Sequence, residues 1–250
     1  MKKFLSVLYT GWCGIVFVVP FLFLYPFIFI CIQNKRWHPF GHKIVRFWSQ
    51  IFFLFTGMII QKDWKFKPDK NKTYVYVANH FSYLDVAAGM NIVENYFAYV
   101  GKSSVSKVPL FGYMFDQLHI AVNREDKNSR SKTMLRGIRA LKNGRSVFIM
   151  PEGGIISKQI PKMAQPFKDG PFIMALENQV SIVPISYLNN YQINPANLFK
   201  WGLPKVIINK EIKTEGKTSK DIEALKKEVY DIIQSDLDKY YGLEKTEYLG

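Results

Sequence analysis

The most prominent pattern along the chain is an uncharged, strongly apolar stretch at its N-terminal end. It runs for 29 residues, from Phe4 to Ile32, and basic residues flank it on both sides. As one α-helix it would be about 44 Å long, which exceeds the ~30 Å hydrocarbon core of a bilayer. Pro20 and Pro26 lie inside the stretch and are expected to bend or break the helix.

The basic flanks bear on how this stretch meets a membrane. Because both ends are positive, the charge distribution assigns neither end to the outer side. The pattern favours a segment that enters one leaflet and turns back at the prolines. A cleavable signal peptide is the alternative, but the stretch is long for one and no A-x-A-like site follows it.

A second apolar block covers residues 47–60 and is too short to span a bilayer. It is predicted to be an interfacial helix or a helix packed on the first one. A buried helix of a soluble protein is the other interpretation that remains open. We therefore assign residues 1–61 to hydrophobic membrane-anchoring helices and residues 62–250 to a globular domain.

Beyond a charged connector at residues 62–72, short β-branched and aromatic runs alternate with segments of helical periodicity. The predicted strands are 74–78, 120–122, 147–150, 182–185 and 206–208. The predicted helices are 82–90, 129–143, 172–178 and 218–241. Residues 105–109 and 189–204 are predicted to be irregular. The alternation predicts an α/β fold with a mostly parallel sheet flanked by helices.

Composition and charge narrow the class of protein. Hydrophobic residues make up 48% of the chain, which excludes a mainly disordered protein. The two cysteines, Cys13 and Cys31, both lie in the apolar stretch, which excludes a disulfide scaffold. The net charge of +14 divides into +8 over residues 1–70, +7 over 71–170 and −1 over 171–250. This excess indicates anionic partners, but no recognisable nucleic-acid-binding module accompanies it, so we expect no nucleic acid among them.

The strongest candidate for chemistry is His80, which directly follows the predicted strand 74–78. Ligands of α/β sheets bind at the carboxyl ends of strands. If Ser82 caps the next helix, Asp85 lies in its first turn, from which a carboxylate can reach back to the imidazole. This pairing would fix the tautomer of a general base. The same Ser82-x-x-Asp85 spacing is also a helix capping box, and the residues alone do not decide between the two interpretations.

Two further strand ends carry polar groups. Glu152, Gly153 and Gly154 follow strand 147–150, and paired glycines let a ligand approach backbone N–H groups closely. Arg124 follows strand 120–122, where a guanidinium suits bidentate binding of phosphate. A plain turn and a solvated surface arginine are the alternatives.

In order and spacing, these segments resemble the glycerolipid acyltransferases, specifically the bacterial lysophosphatidate (1-acylglycerol-3-phosphate) acyltransferases. The resemblance covers about residues 74–210. The segments that carry it are Asn79-His80 with Asp85, Lys107-Val108-Pro109-Leu110-Phe111-Gly112, Val122-Asn123-Arg124, Phe148-Ile149-Met150-Pro151-Glu152-Gly153, Pro166-Phe167-Lys168-Asp169-Gly170 and Ile182-Val183-Pro184-Ile185.

The resemblance implies roles for individual residues. His80 would be the general base, Asp85 the residue that orients it, and Arg124 the ligand of the acceptor phosphate. Pro184 would be structural or would line the donor site. The remaining substrate-binding candidates are Glu152, Gly153, Gly154 and Lys107.

The resemblance also implies a reaction. An acyl thioester, on CoA or on acyl carrier protein, would acylate the free hydroxyl of lysophosphatidate and give phosphatidate, with no cofactor and no metal. The partners would be membrane lipids, the acyl donor and the lysophospholipid acceptor, and the location the cytoplasmic face of a bacterial inner membrane. Acylation of a non-phosphate lysolipid, such as an amino-acid lipid, and a catalytically silent membrane-binding protein are the alternatives.

The chain departs from the family pattern at one place. The family usually has Pro-Glu-Gly-Thr-Arg, whereas Gly154 and Ile155 stand here where threonine and arginine are expected. One phosphate-binding cation is thus missing. Lys158, Lys162 or Arg130 are the candidates to replace it.

Overall fold

The computed structural model describes residues 2–249, which form a seven-stranded sheet and eight α-helices. The strands are β1 (Gln61–Trp64), β2 (Val75–Ala78), β3 (Phe97–Lys102), β4 (Ile120–Val122), β5 (Ser146–Ile149), β6 (Ile182–Tyr187) and β7 (Lys205–Ile208). The helices are α1 (Lys2–Ile32), α2 (His38–Phe55), α3 (Leu84–Ile92), α4 (Phe111–Leu118), α5 (Lys127–Lys142), α6 (Gly170–Asn178), α7 (Asn190–Ile193) and α8 (Ile222–Tyr241).

The strand order is β1-β7-β6-β2-β5-β3-β4. Every neighbouring pair is parallel except β6 and β7, which are antiparallel. The predicted fold class, α/β with a mostly parallel sheet, is therefore confirmed. Because β2 to β6 run in one direction, their carboxyl ends lie along one edge of the sheet, and the polar strand ends found in the sequence meet there.

The central strand β2 shows why its sequence is so rich in aromatic and β-branched residues. Tyr76 and Ala78, with Tyr74 just before the strand, pack into a core shared with α1 to α4. Val75 and Val77 pack into a second core on the opposite face, with α5, α6 and α8. Successive side chains of a strand point to opposite faces, so a strand covered by helices on both sides has no polar position. The sheet is thus the middle of three layers.

The N-terminal apolar stretch is one continuous helix, and this corrects the predicted reversal at the prolines. α1 runs through both Pro20 and Pro26, and the chain turns back only at residues 33–37. An interior proline removes one helical hydrogen bond, but the surrounding apolar turns of α1 continue on both sides of it. α2 then returns along α1, which confirms that the second apolar block forms a helix packed on the first.

Polar side chains tie the two N-terminal helices together. The Tyr9 hydroxyl donates to the Thr56 carbonyl at 2.7 Å, and the Trp48 indole N–H donates to the Phe17 carbonyl at 2.8 Å. The rest of α1 leaves a broad apolar surface exposed, on which Phe23 is 75% accessible. By length and composition, Lys3–Ile32 is long and apolar enough to cross a membrane.

Four elements were not predicted from the sequence. One of them is α7 (Asn190–Ile193), which lies inside the segment 189–204 that was expected to be irregular. The charged connector expected at 62–72 begins as the edge strand β1, whose four residues are all exposed and pair only with β7. β3 and α4 were not predicted, and they flank the 3-10 turn Ser103–Lys107 in the region expected to be irregular. β3 contributes the neighbour through which β4 joins the sheet, so it brings the residues after β4 to the carboxyl edge.

Candidate active site

The predicted pair of His80 and Asp85 forms in the structure. His80 Nδ1 lies 3.1 Å from Asp85 Oδ2, and the His80 side chain is 13% accessible whereas that of Asp85 is fully buried. An ionised carboxylate can only accept hydrogen bonds, so Nδ1 carries the proton in this pair. Nε2 is then the unprotonated nitrogen, which a general base needs.

Asp85 serves the helix start and the histidine at once. Its Oδ2 also accepts the backbone N–H groups of Phe81 and Ser82, each at 2.9 Å, and the Ser82 hydroxyl accepts the N–H of Leu84 at 3.2 Å. The Asp85 half of the predicted capping box therefore forms, whereas Tyr83, and not Ser82, is the N-cap residue of α3. The catalytic role of Asp85 stays a prediction. The capping bonds hold the carboxylate rigidly at the position from which it reaches the imidazole.

A third residue, Asn190, completes the pair and was not found from the sequence. Its Nδ2 donates to Asp85 Oδ1 at 2.8 Å, and its side chain is buried. The other amide atom, Oδ1, is buried among the described residues with no hydrogen-bond partner. Asn190 is the first residue of the short helix α7, which follows β6. Its position just after a strand end was the feature of the sequence that could have identified it as a site residue.

Glu152 is buried and accepts hydrogen bonds from two neighbouring loops. Its Oε1 accepts the backbone N–H of His80 at 2.7 Å, and its Oε2 accepts that of Ala164 at 2.8 Å. The side chain is only 2% exposed. Burial raises the pKa of the carboxyl to about 8, although both N–H donors favour its ionised form. Glu152 therefore connects three loops, one of which carries His80, and its role at the acceptor site stays a prediction.

The glycine pair after Glu152 lies beside two cations. Gly153 has a φ of +83°, in the left-handed region that favours glycine. A Cβ at position 154 would lie 3.1 Å from Nη1 of Arg124, and a Cβ at position 153 would lie 3.6 Å from Cε of Lys168. Arg124 and Lys168 thus both adjoin the Gly153–Gly154 loop, and the proximity of Lys168 was not predicted from the sequence.

The other predicted cations lie elsewhere or have other contacts. Lys107 is an exposed residue at the end of the 3-10 turn Ser103–Lys107, and its role in substrate binding stays a prediction. Lys102 is the last residue of β3 and lies at the carboxyl edge of the sheet, where it pairs in register with Val122. Arg130 donates to the carbonyl of Arg124 at 2.6 Å and so supports the backbone of that residue.

The assembled groups define what the site can do. A histidine with one free ring nitrogen, oriented by a buried carboxylate, removes a proton from a hydroxyl and returns it to a leaving group. Cys13 and Cys31 both belong to α1. Neither cysteine is close to His80 in the sequence or hydrogen-bonded to it. Within residues 2–249, no three His, Cys, Asp or Glu side chains are grouped closely enough to hold a metal ion.

Comparisons with known proteins point to one family. The family model described as Acyltransferase matches residues 60–188, a range that includes His80, Asp85, Arg124 and Glu152. A solved structure of 1-acyl-sn-glycerophosphate acyltransferase from Thermotoga maritima aligns with a TM-score of 0.78, covering 98% of this chain and all of that one at 19% identity.

Curated relatives carry a common name at modest identity. The chloroplastic 1-acyl-sn-glycerol-3-phosphate acyltransferase of Brassica napus is 28% identical over 82% of this chain. The 1-acyl-sn-glycerol-3-phosphate acyltransferase of Haemophilus influenzae is 25% identical over 86% of this chain and 91% of its own length. The match spans 59% of the length of the Brassica napus protein and 54% of the related Arabidopsis thaliana protein.

Proposed function

Because the chain belongs to the acyltransferase family, we propose that it acylates the free hydroxyl of 1-acylglycerol-3-phosphate and forms phosphatidate for phospholipid synthesis. The donor is a fatty acyl thioester on CoA or on acyl carrier protein. The observation that carries this proposal is the His80–Asp85 pair, which leaves Nε2 of His80 free at the carboxyl edge of the sheet. Arg124 and Lys168 lie beside the Gly153–Gly154 loop that follows another strand at this edge. The names of the Brassica napus and Haemophilus influenzae relatives support the choice of acceptor.

The proposed reaction is a direct transfer of the acyl group from the thioester sulfur to the acceptor hydroxyl, which becomes an oxygen ester. Nε2 of His80 takes the proton of the acceptor hydroxyl while its oxygen attacks the thioester carbonyl. The tetrahedral intermediate then collapses, the C–S bond breaks, and the departing thiolate takes the proton back from His80. Asp85 stabilises the imidazolium that exists between these two steps. The thioester is already activated, so the reaction needs no cofactor and no metal.

The reaction would take place at a membrane surface, on the cytoplasmic face of a bacterial inner membrane. α1 exposes many large apolar side chains, among them Phe4, Leu8, Ile15, Phe23, Phe27 and Ile30. Exposed Lys35 and Arg36 follow these in the turn between α1 and α2, and exposed Lys43 lies near the start of α2, where all three suit anionic headgroups. Membrane lipids are therefore partners, and the acceptor reaches the site from the bilayer. Nucleic acid has no place in this proposal.

We expect the exposed face of α1 to hold the protein on lipid. Phe23→Asp should weaken binding to anionic vesicles by about ten- to a hundredfold, since it removes an apolar side chain worth roughly 1.5–3 kcal/mol on burial. Leu135→Asp, at an exposed apolar position on α5, is the matched control and should bind as the unmodified protein does. Vesicle flotation measures both. Equal flotation of the two variants would show that α1 is not the docking face.

We expect Arg124 to bind the acceptor phosphate. Arg124→Ala should raise the KM for 1-acylglycerol-3-phosphate about ten- to a hundredfold, since a charge-assisted hydrogen bond contributes roughly 1.5–3 kcal/mol. The KM of the acyl donor should change little. The control is Arg139→Ala, which replaces an exposed arginine on α5.

A panel of lysolipids decides between phosphate and non-phosphate acceptors. It should include 1-acylglycerol-3-phosphate, a monoacylglycerol and an amino-acid lysolipid, each assayed with acyl-CoA and with acyl carrier protein as the donor. Preference for the phosphate acceptor, lost in Arg124→Ala, is the expected result. If the protein prefers the amino-acid lysolipid and Arg124→Ala leaves that preference unchanged, the acceptor is a phosphate-free lipid, as the Gly154-Ile155 departure would suggest.

A further inference from the structure

The Gly153–Gly154 loop has two basic neighbours although the arginine expected at position 155 is absent. Ile155 stands there instead. A Cβ at Gly153 would lie 3.6 Å from Cε and 3.7 Å from Cγ of Lys168, so the aliphatic part of the lysine runs alongside this glycine. Nη1 of Arg124 would lie 3.1 Å from a Cβ at Gly154. Two cations from different parts of the chain therefore bracket the loop, each next to one of its glycines.

The backbone fixes Lys168 in this place. Its N–H donates to the Pro151 carbonyl at 2.9 Å, which ties it to the residue that begins the loop. The preceding residue, Phe167, is 2% exposed and packs against Tyr230 of α8. The Lys168 side chain therefore starts from a rigid base, and the residue is exposed.

Neither bracketing cation is neutralised by the protein. Among residues 2–249, the ion pairs within 4 Å include neither Arg124 nor Lys168. The one carboxylate next to Lys168 in sequence, Asp169, is paired with Lys226. Two unpaired positive charges beside a glycine loop attract an anion, and a phosphate monoester with two negative charges matches them.

We propose that Lys168 is the second phosphate-binding cation of this protein and replaces the arginine missing at position 155. The inference rests on the proposed function and specifies its acceptor site. Lys168 and Arg124 hold the phosphate of the acceptor from opposite sides of the Gly153–Gly154 loop. Glu152 joins this loop to the backbone of His80, so a phosphate held here places the acceptor at a fixed distance from the base.

Lys168 is better placed for this role than the cations expected from the sequence. Arg130 uses its guanidinium to bond the Arg124 carbonyl. Lys158 and Lys162 lie in the loop between the glycine pair and α6, and neither approaches the glycine pair as closely as Lys168 does. They therefore serve as the competing candidates in the test.

The test compares Lys168→Gln with Lys168→Arg, and with Lys213→Gln as a matched control. Lys213 is exposed and follows Ile212, which pairs with the amino end of β6, at the edge of the sheet opposite to the site. Two probes share one short acyl chain, namely a soluble 1-acylglycerol-3-phosphate and the corresponding monoacylglycerol. Calorimetry measures their binding, and steady-state kinetics measures their KM and kcat.

We expect Lys168→Gln to weaken binding of the phosphate probe about tenfold or more and to raise its KM by a similar factor, as loss of one charge-assisted contact does. Its kcat/KM for the monoacylglycerol should stay within about twofold of the unmodified value, since that acceptor makes no such contact. Lys168→Arg should retain most of the affinity, and Lys213→Gln should behave as the unmodified protein.

Three results would overturn the proposal. They are equal binding of the phosphate probe by Lys168→Gln and Lys213→Gln, an equal loss for both probes, or the same selective loss in Lys158→Gln or Lys162→Gln with none in Lys168→Gln. Failure of the proposed function looks different. In that case the unmodified protein binds the phosphate probe but does not acylate it, and the binding data still decide the role of Lys168.

Discussion

His80→Ala should abolish acyl transfer while leaving the fold and vesicle binding intact. A general base contributes about 10²–10⁴ in rate, and no second histidine stands at this edge to replace it. The imidazole makes one side-chain hydrogen bond, to Asp85, and is partly exposed. Its removal should therefore cost little stability. The measurements are turnover per folded molecule, the midpoint of thermal unfolding and vesicle flotation.

His119→Asn provides a contrast within the same chain. His119 is buried, its Nδ1 accepts the backbone N–H of Tyr99 at 3.2 Å, and burial holds its pKa well below the ordinary value for histidine. It is a neutral core residue. Replacing it should lower the unfolding midpoint by several degrees and leave turnover per folded molecule nearly unchanged. If His80→Ala instead keeps turnover within about tenfold of the unmodified protein, His80 is not the base.

The fold and the main reactive residues could be predicted because they depend on local pattern and on one general rule. His80, Arg124 and Glu152 each follow a short apolar run, and parallel strands bring their carboxyl ends to one edge. The acyltransferase resemblance, confirmed by the family match, then named the chemistry. The bond from the Ser82 N–H to Asp85 could be predicted too, because four consecutive positions specify it, although α3 has Tyr83 and not Ser82 at its N-cap.

The remaining site residues depend on contacts between distant parts of the chain. Asn190 reaches Asp85 across 105 positions, and Lys168 reaches Gly153 from the far side of an irregular loop. Glu152 was assigned to the acceptor site from the family resemblance, and its position at a strand end does not show which way its carboxylate turns. In the structure it turns inward to two backbone N–H groups. No periodicity in the sequence encodes such directions.

Elements with a mixed pattern were also missed, and for a different reason. β3 ends in Gly101 and Lys102, which weaken its strand signal, although its first three residues are buried. α4 has only eight residues, too few for helical periodicity to stand out. For α1, the two prolines suggested a break, but packing against α2 and the apolar character of the whole segment favour a continuous helix.

Asp85→Asn is expected to lower turnover by about two to four orders of magnitude while the protein stays folded. The substitution removes the negative charge that stabilises the imidazolium of His80, and it leaves an amide of the same shape. The amide oxygen can take over the position of Oδ2 and still accept the N–H groups of Phe81 and Ser82. The amide NH₂ then faces Asn190, which normally donates to that side.

Asn190 makes this substitution tolerable for the fold. Its own Oδ1 is buried without a partner, so rotation of its amide by half a turn presents an acceptor to the new NH₂ group. Asn190→Ala, in contrast, leaves the charge of Asp85 and removes one bond that holds it. We expect it to lower turnover only about tenfold, as the loss of one hydrogen bond to a charged group does.

The double variant tests whether Asn190 affects His80 through Asp85 alone. Since Asn190 acts on His80 only through Asp85, Asp85→Asn with Asn190→Ala should turn over no more slowly than Asp85→Asn alone, and the two effects should not add. Turnover per folded molecule and the free energy of unfolding are measured for all four proteins. If Asp85→Asn lowers the free energy of unfolding and leaves turnover per folded molecule unchanged, Asp85 only caps α3, and the base at His80 works without a charged partner.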